Sequence, residues 1–332
     1  MIAQLDSHYI RTRPIKTLSR LISYTFFEGR PLTTRGRWIN PLVFSFLKAA
    51  AKTPLLKKVI KPIFILGTGR SGTTILGRIL SMHPEVGFLN EPKAIWHYLY
   101  PFEDLIGNYS RGAANYRLGP GEASQDLVEK AHRIYGAYLF STFSNRIVDK
   151  YPELIFRIPF VKAIFPDAKF LFLVRNGWNT CHSIMKWSKN RSSEVDHERH
   201  DWWGVNNRKW KLIVSQLVLN EPRFFMKHQD IAALTRQVDM AAVEWIITMQ
   251  EGLRALSTYP AETIQMLRYE DLLSQPKEFL SVILDFCELG NDAKVFEFAL
   301  KSLKPGRFNN SVDLHPAIQA EFMETMHDMG YL

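Results

Sequence analysis

The chain has 332 residues, of which 46% are hydrophobic, and a formal net charge of +9. This length and apolar content suit one large folded domain and exclude a globally disordered chain. No run of about 18 uncharged apolar residues occurs, which excludes a membrane-spanning helix, and no cleavable signal is recognisable. The two cysteines are too few for a disulfide framework or a four-ligand zinc site. We therefore expect a cytoplasmic protein with reduced thiols.

The positive charge is concentrated near the N-terminus. Residues 1–61 contain twelve Lys and Arg but two acidic residues, so the rest of the chain carries a net charge of −1. A basic arm of this kind is typical of proteins attracted to anionic surfaces. Residues 38–60 mix apolar and lysine side chains, which fits either an amphipathic helix on a membrane or a helix packed on the domain. The packed helix is favoured, and peripheral membrane contact stays open.

The remainder, residues 62–332, has the pattern of an α/β domain. The apolar run 62–66 predicts a buried parallel strand, residues 73–82 have the spacing of a helix, and residues 86–89 predict the next strand. This strand–helix–strand order is typical of a parallel sheet. The domain lacks a basic face, which argues against nucleic-acid binding.

Helical and strand patterns alternate further along the chain. We expect loops where the pattern is irregular, over 103–125 and 187–235. The predicted helices are 124–150, 161–165, 178–187 and 237–257. The predicted strands are 154–158, 168–174 and 263–268.

The loop GTGRSGTT, residues 67–74, lies between the first strand and the first helix. Its glycines allow a tight turn whose N–H groups face one centre, and the helix adds its positive end, so an anion is the expected ligand. A triphosphate is disfavoured, because Thr73 stands where a nucleoside triphosphatase has its lysine. A dinucleotide fits the glycine spacing, with Glu91 as the ribose ligand. A phosphosulfate fits the hydroxyl groups together with Arg70.

Two parts of the chain together resemble one family. Residues 69–74 and the following His83-Pro84 look like the 5′-phosphosulfate loop and next helix of sulfotransferases. Residues 165–175 resemble the strand that the family ends on an Arg, with a Ser eight residues later, here Ser183. The likeness covers residues 62–312. The pattern is closest to tyrosylprotein and bacterial carbohydrate or lipid sulfotransferases.

The resemblance implies a three-layer α/β fold with a parallel sheet and a P-loop-like first turn. It also implies 3′-phosphoadenosine 5′-phosphosulfate as the donor, no metal, and a hydroxyl acceptor on a sugar, a lipid or a peptide. The donor ligands fall into three groups along the chain. They are Arg70, Ser71, Gly72, Thr73 and Thr74 for the 5′-phosphosulfate, Arg175 and Ser183 for the 3′-phosphate, and Arg307 in a basic loop closing over the donor.

Sulfonate transfer needs a base for the acceptor proton and cations for charge on the leaving oxygen. The resemblance places a catalytic Glu after the second strand, here Glu91, which would need a raised pKa. Arg70 and Arg157 are the expected cations. The family often has a Lys two residues before a Pro near the sulfonate, and Arg157 has that spacing to Pro159. A salt-bridged, structural Arg157 is an equally good interpretation.

Rival bases and rival functions compete with these assignments. His97 and His182 are the rival bases to Glu91. A P-loop-type kinase or nucleoside triphosphatase is the main rival enzyme, and preference for NAD would favour a dehydrogenase. Outside the enzymes, the rival is a membrane-associated adaptor that keeps the nucleotide fold without chemistry.

Overall fold

A computed structural model describes residues 3–31, 36–195, 197–304 and 311–332. Within these ranges the strands are β1 (Ile63–Gly67), β2 (Val86–Asn90), β3 (Arg146–Lys150), β4 (Lys169–Val174), β5 (Ser193–Val195), β6 (Glu198–Asp201), β7 (Gly204–Val205) and β8 (Ile264–Arg268). Five strands form one parallel sheet in the order β2-β3-β1-β4-β8, and β5, β6 and β7 form a small antiparallel sheet.

The central strand β1 contributes to two apolar cores, one on each face of the parallel sheet. All five of its residues are buried. Because side chains alternate across a strand, Phe64 and Leu66 enter one core and Ile63 and Ile65 enter the other. A strand covered on both faces is expected to be a continuous apolar run, as this one is.

Helices cover both faces of the sheet. Within the described ranges the α-helices are α1 (Ser7–Thr12), α2 (Pro14–Ile22), α3 (Asn40–Ala50), α4 (Thr73–Leu80), α5 (Lys93–Leu99), α6 (Gln125–Ser141), α7 (Ile158–Ile164), α8 (Gly177–Arg191), α9 (Arg208–Leu212), α10 (His228–Ala232), α11 (Gln237–Thr258), α12 (Tyr269–Ser274), α13 (Pro276–Phe286), α14 (Ala293–Ser302) and α15 (Pro316–Asp328). Helices α4, α13 and α14 pack in one core, and α6, α8 and α11 pack in the other. This arrangement confirms the predicted three-layer α/β fold with a parallel sheet.

Short 3-10 and π-helical turns connect these elements. The 3-10 turns are Arg37–Ile39, Pro101–Glu103, Pro120–Glu122, Pro152–Arg157, Val218–Asn220 and Pro222–Lys227, and the π turns are Ser23–Phe27 and Ile213–Leu217. Four of the 3-10 turns begin at a proline, whose fixed φ suits the first position of a helical turn.

The sequence-based prediction is wrong around β3. It places residues 124–150 in one helix and a strand at 154–158, whereas α6 ends at Ser141 and β3 follows it. Polar residues within β3 explain the error. Asp149 Oδ2 accepts hydrogen bonds from Trp96 Nε1 and Tyr135 Oη, which hold this polar side chain inside the core. No apolar run therefore marks this buried strand.

The basic arm packs on the exposed edge of β2. Lys16 Nζ donates to the carbonyl of Val86 at 2.7 Å, and Arg20 Nη1 donates to the carbonyl of Phe88 at 2.7 Å. Arg20 also forms an ion pair with Glu28. These side chains satisfy backbone groups that an edge strand would otherwise expose.

The segment 187–235, predicted to be irregular, contains the end of α8, the small sheet, α9 and α10. Trp203, in the turn between β6 and β7, is fully buried and donates from Nε1 to Gln237 Oε1 at 2.6 Å. This contact fixes the turn against the start of α11. Along the described ranges, every helix is too short or too polar to traverse a bilayer.

Candidate active site

The loop between β1 and α4 is shaped by close packing at its glycines. Gly67 has a φ of 140° and Gly72 a φ of 94°, a region that favours glycine. A Cβ on Gly67 would lie 2.3 Å from the carbonyl oxygen of Leu173, so the loop begins directly against the end of β4. Arg70 has a positive φ of 74°. Non-glycine residues held in this strained conformation cluster at ligand sites.

Two hydroxyl groups of this loop are buried without a protein partner. Thr68 and Ser71 are 1% and 0% exposed, and neither hydroxyl has a hydrogen-bond partner among the described residues. Leaving a buried hydroxyl unpaired costs about 1 to 3 kcal/mol. Thr73 and Thr74 follow at the start of α4 and line a cleft beside the loop. The loop therefore fits an anion that accepts hydrogen bonds from these hydroxyls.

Arg175 follows β4 directly and contacts the same loop. Its Nη1 donates to the backbone oxygen of Arg70 at 3.0 Å, and Arg70 Nε donates to Ser183 Oγ at 3.2 Å. Burial, followed by the nearby Arg175 guanidinium, lowers the pKa of Arg70, as expected for close like charges. The structure thus brings the predicted ligands of the first loop and of the second strand end together at one edge of the sheet.

Glu91 follows β2 and lines the cleft, with 39% of its side chain exposed. Lys150 Nζ lies 2.5 Å from Glu91 Oε1, and Lys93 Nζ lies 3.5 Å from Glu91 Oε2. Although removal from water acts to raise the pKa of Glu91, the two ammonium groups lower it to about 2. The expected raised pKa is therefore wrong for this carboxylate, which is ionised at neutral pH. Its φ of 50° is also strained.

Lys150 is a functional candidate that the sequence analysis misses. It ends β3, is 2% exposed and lines the cleft beside Glu91. Lys150 stands two residues before Pro152, which is the spacing expected of the cation near the sulfonate. The spacing between Lys150 and Pro152 is visible in the sequence. Because the strand is predicted at 154–158 and not at β3, the sequence analysis gives this role to Arg157 instead.

Arg157 does not line the cleft. It is 1% exposed, its Nη1 lies 3.1 Å from Glu103 Oε2, and its Nε donates to the carbonyl of Tyr116 at 3.1 Å. Its Nη2 donates to the carbonyls of Glu103 and Asn115. The structure therefore contradicts the predicted catalytic role of Arg157 and shows the salt-bridged arrangement, because protein oxygens occupy all three of its nitrogens.

A chain of ion pairs extends from Glu91 along the floor of the cleft. Lys93 Nζ lies 3.9 Å from Glu153 Oε1, and Glu153 Oε1 lies 3.4 Å from Lys209 Nζ. Lys209 Nζ lies 2.5 Å from Glu244 Oε1. The signs alternate, so each buried charge has a neighbour of opposite sign that offsets its desolvation.

Aromatic side chains form a wall of the cleft, whose volume is about 270 Å³. The ring centroids of Trp187 and Trp202 are 5.4 Å apart, and the rings are nearly perpendicular. Trp202 Nε1 donates to Glu244 Oε2 at 2.7 Å. The cleft therefore combines an apolar wall with a charged floor, a composition that suits a ligand with both apolar and polar faces.

The histidines do not support the rival bases. His97 and His182 lie outside the lining of the cleft, whereas His200, which the sequence analysis does not select, lines it. The ring of His97 packs 5.2 Å from that of Tyr109, and burial lowers the pKa of His97. Its surroundings are those of a core histidine.

Arg307, predicted to close over the donor, lies outside the described residues. In the portion of the chain that the structure describes, no three His, Cys, Asp or Glu side chains are grouped to hold a metal ion.

Comparison with known proteins identifies the part of the chain that carries this cleft. Residues 62–222 match the model of the sulfotransferase family. This segment belongs to the sulfotransferase family. The sulfotransferase segment contains every predicted site residue apart from Arg307.

Relatives of known name share moderate identity with this chain. Protein-tyrosine sulfotransferase 1 of Danio rerio is 28% identical over 138 residues, which cover 40% of this chain and 38% of that protein. Nodulation protein NoeE of Sinorhizobium fredii is 26% identical over 249 residues, which cover 71% of this chain and 51% of that protein. The chain thus spans about half or less of the length of these relatives. Among solved structures, the sulfotransferase domain of the Synechococcus PCC 7002 olefin synthase is 18% identical with a TM-score of 0.49, covering 85% of this chain and 98% of that domain.

Proposed function

We propose that this chain transfers a sulfonate group from 3′-phosphoadenosine 5′-phosphosulfate to a hydroxyl acceptor. The observation that carries the proposal is the meeting of Arg70, Arg175 and Ser183 beside the unpartnered hydroxyls of Thr68 and Ser71. These groups lie at the carboxyl ends of parallel strands, where open α/β sheets bind their ligands. Two guanidinium groups and several hydroxyls suit a nucleotide with two separate anionic ends.

The proposed donor ligands follow from this placement. Arg70, Ser71, Gly72, Thr73 and Thr74 would hold the 5′-phosphosulfate through hydroxyl, guanidinium and backbone N–H groups. Arg175 and Ser183 would hold the 3′-phosphate. Arg307 remains a predicted ligand.

The chemistry is an in-line displacement at sulfur. The acceptor oxygen bonds to sulfur, the bond from sulfur to the bridging phosphate oxygen breaks, and the acceptor proton passes to Glu91. Adenosine 3′,5′-bisphosphate leaves. Lys150 and Arg70, both on the cleft, would stabilise the charge that develops on the sulfonate and the bridging oxygen.

A low pKa restricts how Glu91 can act. A carboxylate whose pKa is about 2 is a weak base, so it cannot deprotonate a free alcohol to a useful extent. Once the acceptor oxygen bonds to sulfur, however, its proton becomes strongly acidic. Glu91 would therefore accept the proton late, after most of the new oxygen–sulfur bond has formed.

Two further assignments remain proposals. The acceptor is a hydroxyl of a sugar, a lipid or a peptide; the relatives are named for protein tyrosine and for nodulation. A peripheral membrane contact of an otherwise cytoplasmic protein is supported by Ile15 and Leu18 of α2, which are 76% and 57% exposed. Arg20 and Lys16 of the same helix are used inside the fold, so they do not contribute to this surface.

Calorimetry without Mg²⁺ tests donor binding. Adenosine 3′,5′-bisphosphate should bind more tightly than ATP with Mg²⁺ or NAD. Arg175→Ala should weaken this binding about 10- to 100-fold, the effect of losing a charged hydrogen-bonding partner. Arg11→Ala, on the exposed surface of α1, is the charge-matched control and should leave the affinity unchanged. Tighter binding of ATP with Mg²⁺ would favour a kinase, and tighter binding of NAD would favour a dehydrogenase.

A labelled-donor screen read by mass spectrometry tests turnover. Acceptors with sugar, lipid, tyrosine and small-alcohol hydroxyls would be offered in parallel. Label transfer to one class identifies the acceptor. Donor binding without transfer to any class would favour the adaptor function.

A further inference from the structure

Trp202 contacts the loop 67–74 and also lines the cleft. A Cβ on Gly69 would lie 2.4 Å from Trp202 Cη2 and 2.8 Å from Cζ2, so the tip of the indole rests against the Gly69 backbone. Unlike Gly67 and Gly72, Gly69 does not have a left-handed φ. The indole, and not the turn, therefore requires glycine at position 69. The same indole lines the cleft.

The indole of Trp202 is held from several directions. Its Nε1 donates to Glu244, the ammonium of Lys209 lies 4.9 Å from the ring centroid, and the ring of Trp187 packs nearly perpendicular to it. Its backbone N–H donates to Ser188 Oγ at 3.4 Å. These contacts make Trp202 a fixed part of the cleft wall that also touches the loop.

We infer that Trp202 is a positioning residue that keeps water from the donor sulfonate and so favours transfer over hydrolysis. This inference rests on the proposed function. In hydrolysis a water oxygen bonds to sulfur and the bond from sulfur to the bridging oxygen breaks, which yields sulfate, adenosine 3′,5′-bisphosphate and a proton. Removing water from a reactive group is a general means of suppressing such side reactions.

The test measures sulfate release from labelled 3′-phosphoadenosine 5′-phosphosulfate without any acceptor. Trp202→Ala should increase the hydrolysis rate about tenfold. Trp38→Ala is the control, because it removes an exposed indole that does not line the cleft; it should change the rate less than about twofold. Affinity for adenosine 3′,5′-bisphosphate, measured by calorimetry, shows that each variant keeps its donor site.

The outcomes separate this inference from the proposed function. A wild-type protein that fails to bind adenosine 3′,5′-bisphosphate overturns both. If the wild type binds it and Trp202→Ala binds it with unchanged hydrolysis, or Trp38→Ala raises hydrolysis equally, the inference alone is overturned.

A second pair of variants covers loss of folding in Trp202→Ala. Gly69→Ala should weaken binding of adenosine 3′,5′-bisphosphate about tenfold, because the added methyl group meets the indole. Combined with Trp202→Phe, whose ring is shorter, the same substitution should weaken binding less than about threefold. An equal loss in both backgrounds would contradict the contact on which the wall depends.

Discussion

Two carboxylate–cation pairs each join a Glu that comes after β2 to a cation at the end of β3 or after it, and their surroundings differ. Glu91 and Lys150 face the cleft, where Glu91 is 39% exposed and the ammonium groups lower its pKa to about 2. Glu103 and Arg157 are buried, and burial raises the pKa of Glu103 to about 7 although Arg157 acts to lower it. Pairs of the same chemical kind thus have opposite pKa shifts, because burial dominates in one and neighbouring cations in the other.

The difference shows what makes a cation in this part of the chain available for chemistry. Every nitrogen of Arg157 is bound to a protein oxygen, so a ligand would have to displace part of the fold. Lys150 is paired with a carboxylate that itself borders the cleft. A cation is free to bind a ligand when its partners belong to the site and not to the core.

Breaking the pair at the cleft should have the largest effect. Lys150→Ala should lower the transfer rate about 100- to 1000-fold, because in the proposed reaction it removes a positive charge near the developing negative charge. Glu91→Gln should lower it by a similar factor. Affinity for adenosine 3′,5′-bisphosphate should change less than about threefold in both. Steady-state rates with the acceptor found in the screen, and calorimetry, provide the measurements.

The double variant and a control sharpen this prediction. If the two residues act as one unit, Lys150→Ala combined with Glu91→Gln should be no slower than the slower single variant. Lys130→Ala, at a partly exposed lysine on α6, should leave the rate unchanged. If the fold-loss of rate in the double variant equals the product of the two single losses, the residues act independently.

Breaking the buried pair should affect stability and not donor binding. Arg157→Met leaves Glu103 without its cation, which should lower the free energy of unfolding by about 3 to 5 kcal/mol, as measured with urea. Combining it with Glu103→Met should recover part of the loss, since the unpaired carboxylate is then absent. Loss of transfer at unchanged stability would restore the catalytic interpretation of Arg157.

Local sequence is sufficient to predict which residues meet at the proposed donor site. The loop 67–74 and the Arg175–Ser183 spacing are each contiguous motifs that follow an apolar strand, so the sheet edge brings them together. The rest of the cleft and the core beside it depend on contacts between distant residues. Gly69 meets Trp202 through the fold, and the side chain of Arg157 bonds to carbonyls more than 40 positions away. Such pairings have no periodic signal in the sequence.

Strand β3 escapes prediction for the same reason, and it supplies the smallest predicted effect. Asp149, next to Lys150, is fully buried, and burial raises its pKa to about 7 although Tyr135 and Trp96 donate hydrogen bonds to it. Its folded-state pKa lies above the unfolded value of 3.8. The stability it contributes is therefore complete below about pH 4 and is lost as pH rises through about 7.

Asp149→Asn removes this titration while keeping an oxygen that can accept both hydrogen bonds. Between about pH 5 and pH 8, the free energy of unfolding of the variant should rise relative to wild type by about 1 to 3 kcal/mol. Asp126→Asn, at an exposed carboxylate on α6, should show no such rise. Urea unfolding at several pH values measures the difference. If the difference in free energy of unfolding between Asp149→Asn and wild type does not change with pH, burial does not raise the pKa of this carboxylate. The contrast between cleft and core would then need another cause.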